Sequence, residues 1–257
     1  MKSNSEWQAW GKFDPLWGVA SWSGRERQGA NPWTDEEFYK LGDDWDDFKA
    51  TWLALSGYRP GTILEIGSGA GRITRKLAED FAVVIASDVS PDMLEYARTR
   101  IKAPNIQWTL SNGDTLPAGD SSIDAVFSCH VFQHFPNNAA QIATFREILR
   151  ILKPGGSALI HLPMHIFPDV NHRFCAIARS GYQAFAWLST IKAAIRRSLQ
   201  HLGGKPYMHG VSYEMQKLVT DLREVGFGQI HLACVTVGGA PAPHTCALVQ
   251  KPDPSGI

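Results

Sequence analysis

The chain is short of cysteine, of charge imbalance and of long apolar runs, and each shortage removes a class of function. Its four cysteines, Cys129, Cys175, Cys234 and Cys246, include no Cys-x-x-Cys pair. Neither a zinc site nor a disulfide framework is indicated, and unpaired thiols fit a reducing cytosol. Lysine plus arginine (25) equals aspartate plus glutamate (25), so nothing in the net charge favours a nucleic-acid partner. No stretch approaches the roughly 20 apolar residues that span a bilayer. The opening Met-Lys-Ser-Asn-Ser-Glu-Trp lacks the apolar centre of a secretory leader. There is no internal repeat and no low-complexity tract. A soluble, cytoplasmic protein of one α/β domain with appendages is expected from these 257 residues.

What is present falls into three regions. Residues 1–60 hold Trp7, Trp10, Trp17, Trp22, Trp33, Trp45 and Trp52 and an acidic run from Asp35 to Asp47. Thr34 with Glu37 three residues on reads as a capping box, so one or two helices should follow it. Residues 61–163 alternate strand and helix. Strands are expected at Thr62–Ile66, Ala82–Ser87, Ile106–Leu110, Ile123–Ser128 and Ser157–Leu162. Helices are expected from about Gly71 to Glu79, from Ser90-Pro91 to Arg100, and from about Ala139 to Leu152, the last stopped by Pro154-Gly155-Gly156. This rhythm predicts a doubly wound, mostly parallel sheet of seven strands covered on both faces. Residues 164–212 break it, with Arg173, Arg179, Lys192, Arg196, Arg197 and Lys205 against Asp169. One or two basic amphipathic helices, inserted after the fifth strand, are expected there. Residues 213–257 return to the sheet, with a helix over 212–225 and strands over 229–237 and 245–250. The expected organisation is therefore an N-terminal helical cover (1–60), a core (61–163 with 213–257) and a helical lid (164–212).

In a doubly wound sheet the ligand sits at the carboxyl ends of the strands, where strand order reverses. The first strand ends in Glu65-Ile66-Gly67-Ser68-Gly69-Ala70-Gly71. The spacing is Gly-x-Gly-x-Gly, whereas the dinucleotide fingerprint is Gly-x-Gly-x-x-Gly, and Arg72 occupies the position of the missing glycine. An acid two residues before the first glycine suits a cationic ligand.

These residues resemble the class I S-adenosylmethionine-dependent methyltransferases, and the resemblance covers residues 61–163 well and the last strands loosely. It implies S-adenosylmethionine as cofactor, with S-adenosylhomocysteine as product. It implies a cofactor site built from Glu65, Gly67, Ser68, Gly69 and Gly71, with Asp88 on the ribose hydroxyls. Val89 and Met93 would flank the adenine. In the Gly113-Asp114-Thr115 turn the aspartate would accept from the adenine amino group, Cys129 would be a further cofactor residue, and His130 would sit near the methionyl part. After the fourth strand, Ser128-Cys129-His130-Val131-Phe132-Gln133-His134-Phe135-Pro136 resembles the loop of small-molecule O- and N-methyltransferases. It points to His134 as base or acceptor-orienting group, with Gln133 and His130 beside it. Gln133 departs from the acid found in some relatives, and an amide is neither a carboxylate base nor a good metal ligand. Trp17, Trp22 and Trp33, among glycines and prolines, are candidates to wall an aromatic or apolar substrate pocket with His134.

The function implied is methyl transfer to oxygen or nitrogen of a small metabolite, with no nucleic-acid partner, no membrane span and no metal. The Asn/Asp-Pro-Pro-aromatic and Pro-Cys motifs of nucleic-acid enzymes are absent. A nicotinamide-dependent oxidoreductase shares the glycine turn and Asp88 but lacks a Tyr-x-x-x-Lys set. A non-catalytic cofactor-binding module is a third reading. Neither the acceptor nor the oligomeric state is readable.

Overall fold

A computed structural model describes residues 2–23, 25, 29–55, 57–165, 211–238 and 244–254. The expected basic helices of 164–212 lie, but for the ends of that range, outside the described residues. So do the side chain of Trp22 and most of the turn before the last strand.

Seven strands form one sheet: β1 (Thr62–Ile66), β2 (Val83–Asp88), β3 (Ile106–Leu110), β4 (Ile123–Ser128), β5 (Leu152–His161), β8 (Gln229–Val235) and β9 (His244–Gln250). Their order is β3-β2-β1-β4-β5-β9-β8, parallel except for β9, which is antiparallel to β5 and to β8. The doubly wound expectation holds, and the order reverses between β1 and β4. A two-residue parallel pair, β6 (Met164–His165) with β7 (Tyr213–Glu214), was not anticipated.

β1 shows why the strands read as apolar runs. Its side chains alternate between two covered faces. Leu64 and Ile66 pack with α7 (Asn138–Ile151) and α8 (Met215–Val225). Ile63 points to the other face, with Trp45, Phe48 and Trp52 of α4 (Asp44–Ala54) and Leu77 of α5 (Thr74–Asp80). Each aromatic ring so buried contributes roughly 1.5–3 kcal/mol. Trp52 donates from Nε1 to Ser157 Oγ (2.9 Å) and Trp45 to Asp80 (2.6 Å), so the polar edges of these rings are satisfied as well.

The helix ends follow their caps with three exceptions. Thr34 and Glu37 form the expected capping box ahead of α3 (Asp35–Lys40). Ser90 caps α6 (Pro91–Arg100), with Pro91 in its first turn. The helix after β1 begins at Thr74 rather than Gly71, since Gly71 has φ +83° and stands outside a right-handed helix. α7 ends at Ile151. Leu152 is already extended and pairs with Ile123, and Lys153–Gly156 form an irregularity inside β5 rather than a turn before it. The last helix starts at Met215, capped by Glu214, and ends on Gly226 at φ +113°.

Two helices precede the capping box unannounced: α1 (Lys2–Phe13) and α2 (Pro15–Val19). They lie on α6. Trp10, Leu16 and Met93 share a cluster, and Trp10 stacks on Trp17 at 4.3 Å. No helix among the described residues is long and apolar enough to cross a membrane.

Candidate active site

One cleft opens at the carboxyl ends of β1, β2 and β4, at the switch point, where such folds place their ligands. Its floor is the turn after β1. Gly67 (φ +73°) and Gly69 (φ +54°) take a conformation that side chains avoid. A Cβ on Gly67 would run into Val131, and one on Gly69 would stand 2.8 Å from Val19 Cγ2. Both glycines line the cleft. Gly71 lies behind it, against Ile101 and Ala97. The backbone N–H groups of Gly67 and Ser68 donate to Ser87 O (2.8 and 3.0 Å), which ties the turn to β2. The Ser68 hydroxyl is buried and has no hydrogen-bond partner among the described residues.

Asp88, the last residue of β2, lines the cleft. Its Oδ2 accepts from Gly69 N and its Oδ1 from Ser90 N, both at 2.8 Å. Each oxygen keeps a second lone pair for a ligand hydroxyl. Burial raises its pKa, against the pull of those N–H groups. Val89, Met93, Gly113, Asp114 and Thr115 also line the cleft. Asn112 Oδ1 accepts from the N–H of Asp114 (2.9 Å) and of Thr115 (3.1 Å), so the turn is held by Asn112 and the Asp114 carboxylate is exposed.

Among the expected cofactor residues Glu65, Ser68 and Gly71 do not line the cleft, and Glu65 faces away from it. Alternation along β1 sends it to the α5 side, where its carboxylate accepts from Thr74 Oγ1 at 2.5 Å. It is buried and does not line the cleft. Burial pushes its pKa up to about 7, with Thr74 and Arg72 pulling the other way. The carboxylate facing a cation that the sequence suggests is thus a buried acid beneath the turn.

Cys129, His130, Gln133 and His134 line the opposite end of the cleft. Gln133 Nε2 and His134 Nε2 are 3.0 Å apart. With the amide donating, the His134 Nε2 lone pair is an acceptor. His130 has φ +60°, a strained value for a side chain of its size. Its N–H donates to His161 Nδ1 (3.2 Å), and burial with nearby His161 and Arg72 holds its ring neutral, with a pKa near 2.

Two of the candidate substrate tryptophans are elsewhere. Trp17 packs in the cap on Trp10, and Trp33 lies under Arg25 (4.1 Å) and beside Phe38; neither lines the cleft. The aromatic wall is Trp7, edge-on to His134 with centroids 4.8 Å apart. Asn4 and Gln8 lie on the same face of α1. They donate to Asn112 O (2.6 Å) and Val89 O (3.3 Å), which fixes α1 across the mouth. Trp7 and Trp10, three residues apart, were the signal for this helix. Val19, Leu116, Phe135 and Glu147 are further lining residues that sequence reasoning missed.

The residues fit an adenosine-bearing ligand: a cradle that any Cβ would obstruct, a two-oxygen acceptor beside it, and a buried orphan hydroxyl in the turn. Sheet order and cradle together resemble those of the class I S-adenosylmethionine-dependent methyltransferases. Residues 64–160 match the family model described as a methyltransferase domain. The chain is 38% identical over 99 residues to a demethylmenaquinone methyltransferase of Tropheryma whipplei (38% of this chain, 40% of that protein). It is 32% identical over 116 residues to a ubiquinone/menaquinone biosynthesis C-methyltransferase of Ectopseudomonas mendocina (42% of this chain, 44% of that protein). The chain thus spans less than half the length of these two relatives. Its fold is shared with the magnesium protoporphyrin IX methyltransferase of Synechocystis, solved with bound S-adenosylhomocysteine. There the TM-score is 0.55 and the identity 15%, over 91% of this chain and 94% of that one.

Proposed function

We propose that the protein transfers a methyl group from S-adenosylmethionine to an oxygen or nitrogen of a small molecule with an aromatic or apolar body. The observation that carries this reading is the pairing of His134 with Trp7 at the end of the cleft away from Asp88. When bound, the cofactor supplies a methyl carbon already activated by its sulfonium. The chain is left to position the acceptor, exclude water and take a proton.

Asp88 accepts both ribose hydroxyls, and the Gly113–Thr115 turn meets the adenine. Trp7 lies against the acceptor's body, and α1 closes the mouth. His134 Nε2 takes the acceptor's proton: an acceptor O–H or N–H replaces the Gln133 amide as its donor. His130 stays neutral and acts through its backbone, which sets the loop. Glu65, held by Thr74, stiffens the turn from beneath.

The two quinone-pathway relatives favour a second reading, transfer to carbon. A ring carbon becomes nucleophilic when a neighbouring hydroxyl loses its proton, so the same His134 serves both.

Full-length protein incubated with labelled S-adenosylmethionine and a small-molecule extract should give a methylated product, its position read by NMR. A methyl on oxygen or nitrogen supports the first reading, and one on carbon replaces it with the second. Tight S-adenosylhomocysteine binding with no transfer would leave a cofactor-binding module. Nicotinamide binding in its place would discard both readings.

A further inference from the structure

Beneath the acceptor end of the cleft, three strand ends bring together a cluster that the sequence scatters over more than a hundred positions. Cys129 and His130 follow β4, His161 ends β5 and His244 opens β9. One donor atom from each of Cys129, His130 and His161 lies within 4.8 Å of the other two. His244 adjoins them, its Nδ1 3.2 Å from His161 Nε2. The three rings sit at centroid separations of 4.3, 4.9 and 5.0 Å.

We propose that Cys129, His130, His161 and His244 form a binding site for a thiophilic divalent cation of the zinc class, tying the ends of β4, β5 and β9 together under the cleft.

The geometry is close to what such an ion requires. Zinc–nitrogen bonds of about 2.0–2.1 Å at a tetrahedral angle place two nitrogens about 3.3 Å apart. The His161–His244 pair already has that separation. The His130 backbone N–H donates to His161 Nδ1, so His161 carries its proton on Nε2, facing His244 Nδ1. A cation bound between those two nitrogens displaces that proton to His161 Nδ1, and the His130 N–H gives up its acceptor there, so the metal-bound ring stays a neutral imidazole. A soft thiolate with imidazoles selects zinc-class ions over magnesium or calcium.

Charge around the cluster is consistent with one thiolate. Arg72 Nη2 stands 3.8 Å from Cys129 Sγ, and its other nitrogen is paired with Asp44 at 2.5 Å. The guanidinium thus lies on the sulfur side, where it favours deprotonation, and its charge is already matched. Burial keeps the thiol protonated and the imidazoles neutral in the free protein. Binding through the Cys129 thiolate therefore releases one proton to solvent, while the imidazoles stay neutral.

The test uses the full, untagged, reduced chain with Zn(II) and Co(II) as probes. One equivalent should bind per chain. The Co(II) adduct should show a thiolate-to-metal charge-transfer band and four-coordinate visible absorption, and Zn(II) should raise the melting temperature. Cys129→Ser should abolish the charge-transfer band, and His161→Gln should weaken binding by about ten-fold or more. His231→Gln, on β8 and outside the cluster, should change neither. Absence of stoichiometric binding, a cobalt spectrum without sulfur ligation, or unchanged affinity in the Cys129→Ser/His161→Gln double variant would overturn the site. The wild-type spectrum and melting shift decide the matter even if the variants fold poorly. S-adenosylhomocysteine affinity, measured in parallel, reports on the cofactor cradle separately, so either reading can fail without the other.

Discussion

Trp7 and His134 meet edge-on, their ring centroids 4.8 Å apart, across a gap of 127 residues in the chain. One belongs to the N-terminal helix and the other to the loop after β4. The contact makes α1 part of the cleft wall rather than an appendage. It also places an aromatic face next to the His134 ring, whose Nε2 lies 3.0 Å from the Gln133 amide.

Replacing Trp7 by alanine should therefore act on the acceptor more than on the cofactor. The expected result is a KM for acceptor raised several-fold, with S-adenosylhomocysteine affinity close to that of the parent by calorimetry. An equal loss for both ligands would reassign Trp7 to general support of the cap.

His134→Ala should lower turnover by roughly 10²–10⁴-fold if the ring is the general base. Cofactor affinity should stay within a small factor. Gln133→Ala removes a partner of Nε2 without removing the base, so its turnover should fall far less. A His134→Ala enzyme as fast as the parent would leave the ring an orienting role at most.

Asp88 braces the cradle through Gly69 N and, in the proposed reading, takes the ribose hydroxyls. Asp88→Ala should weaken S-adenosylhomocysteine binding by about 1–3 kcal/mol, the worth of a charge-assisted hydrogen bond. It also frees the N–H groups of Gly69 and Ser90, so the turn itself should exchange its amide hydrogens faster. Unchanged affinity with faster exchange would keep Asp88 as a brace and remove it from the ligand.

The sheet was legible because its physics is local. A strand covered on both faces must be apolar throughout, and the turn residues between strands carry their own geometry. The cradle was legible for the same reason, since Gly67 and Gly69 advertise positive φ. Three things were not. α1 lacks a cap signal and contains Gly11 and polar residues through its length, and α2, though capped by Asp14 with Pro15 in its first turn, is only five residues long. The tryptophans away from helical spacing drew attention, whereas Trp7 was the one that reached the cleft. Glu65 looked like a ligand because spacing does not say which face of β1 it takes. Its neighbours Ile63 and Leu64 decide that only once both layers are in place. The Cys129, His130, His161 and His244 cluster depends on β4, β5 and β9 being neighbours, which no local pattern records.

Gly69 separates two costs that sequence alone merges. Gly69→Ala puts a Cβ at positive φ, costing roughly 1–2 kcal/mol, and presses it on Val19. Adding Val19→Ala should relieve the contact and restore part of the melting temperature. Cofactor binding should not return, because the Cβ still faces the cleft. Full recovery of binding in the double variant would show that the cradle fails by cap displacement and not by blocked approach.

Glu65 sets a pH dependence whose sign can be worked out. Its folded pKa, about 7, lies above its ordinary 4.5, because burial disfavours the charged form. Between these values the folded chain holds a proton that the unfolded chain releases. Its contribution to stability is thus fully present below about pH 4.5 and is lost as pH rises through 7. The slope is roughly 1.4 kcal/mol per pH unit for one proton. Glu65→Gln keeps an acceptor for Thr74 Oγ1 and removes the titration. The parent should therefore lose stability relative to Glu65→Gln as pH goes from 4.5 to 7, and the difference should level off above that. Asp88, raised by the same cause, is common to both proteins, so only its coupling to Glu65 enters the difference. Urea unfolding at intervals across this range measures it. Parallel pH profiles would mean that Glu65 is charged in the folded state, with Arg72 and Thr74 outweighing its burial.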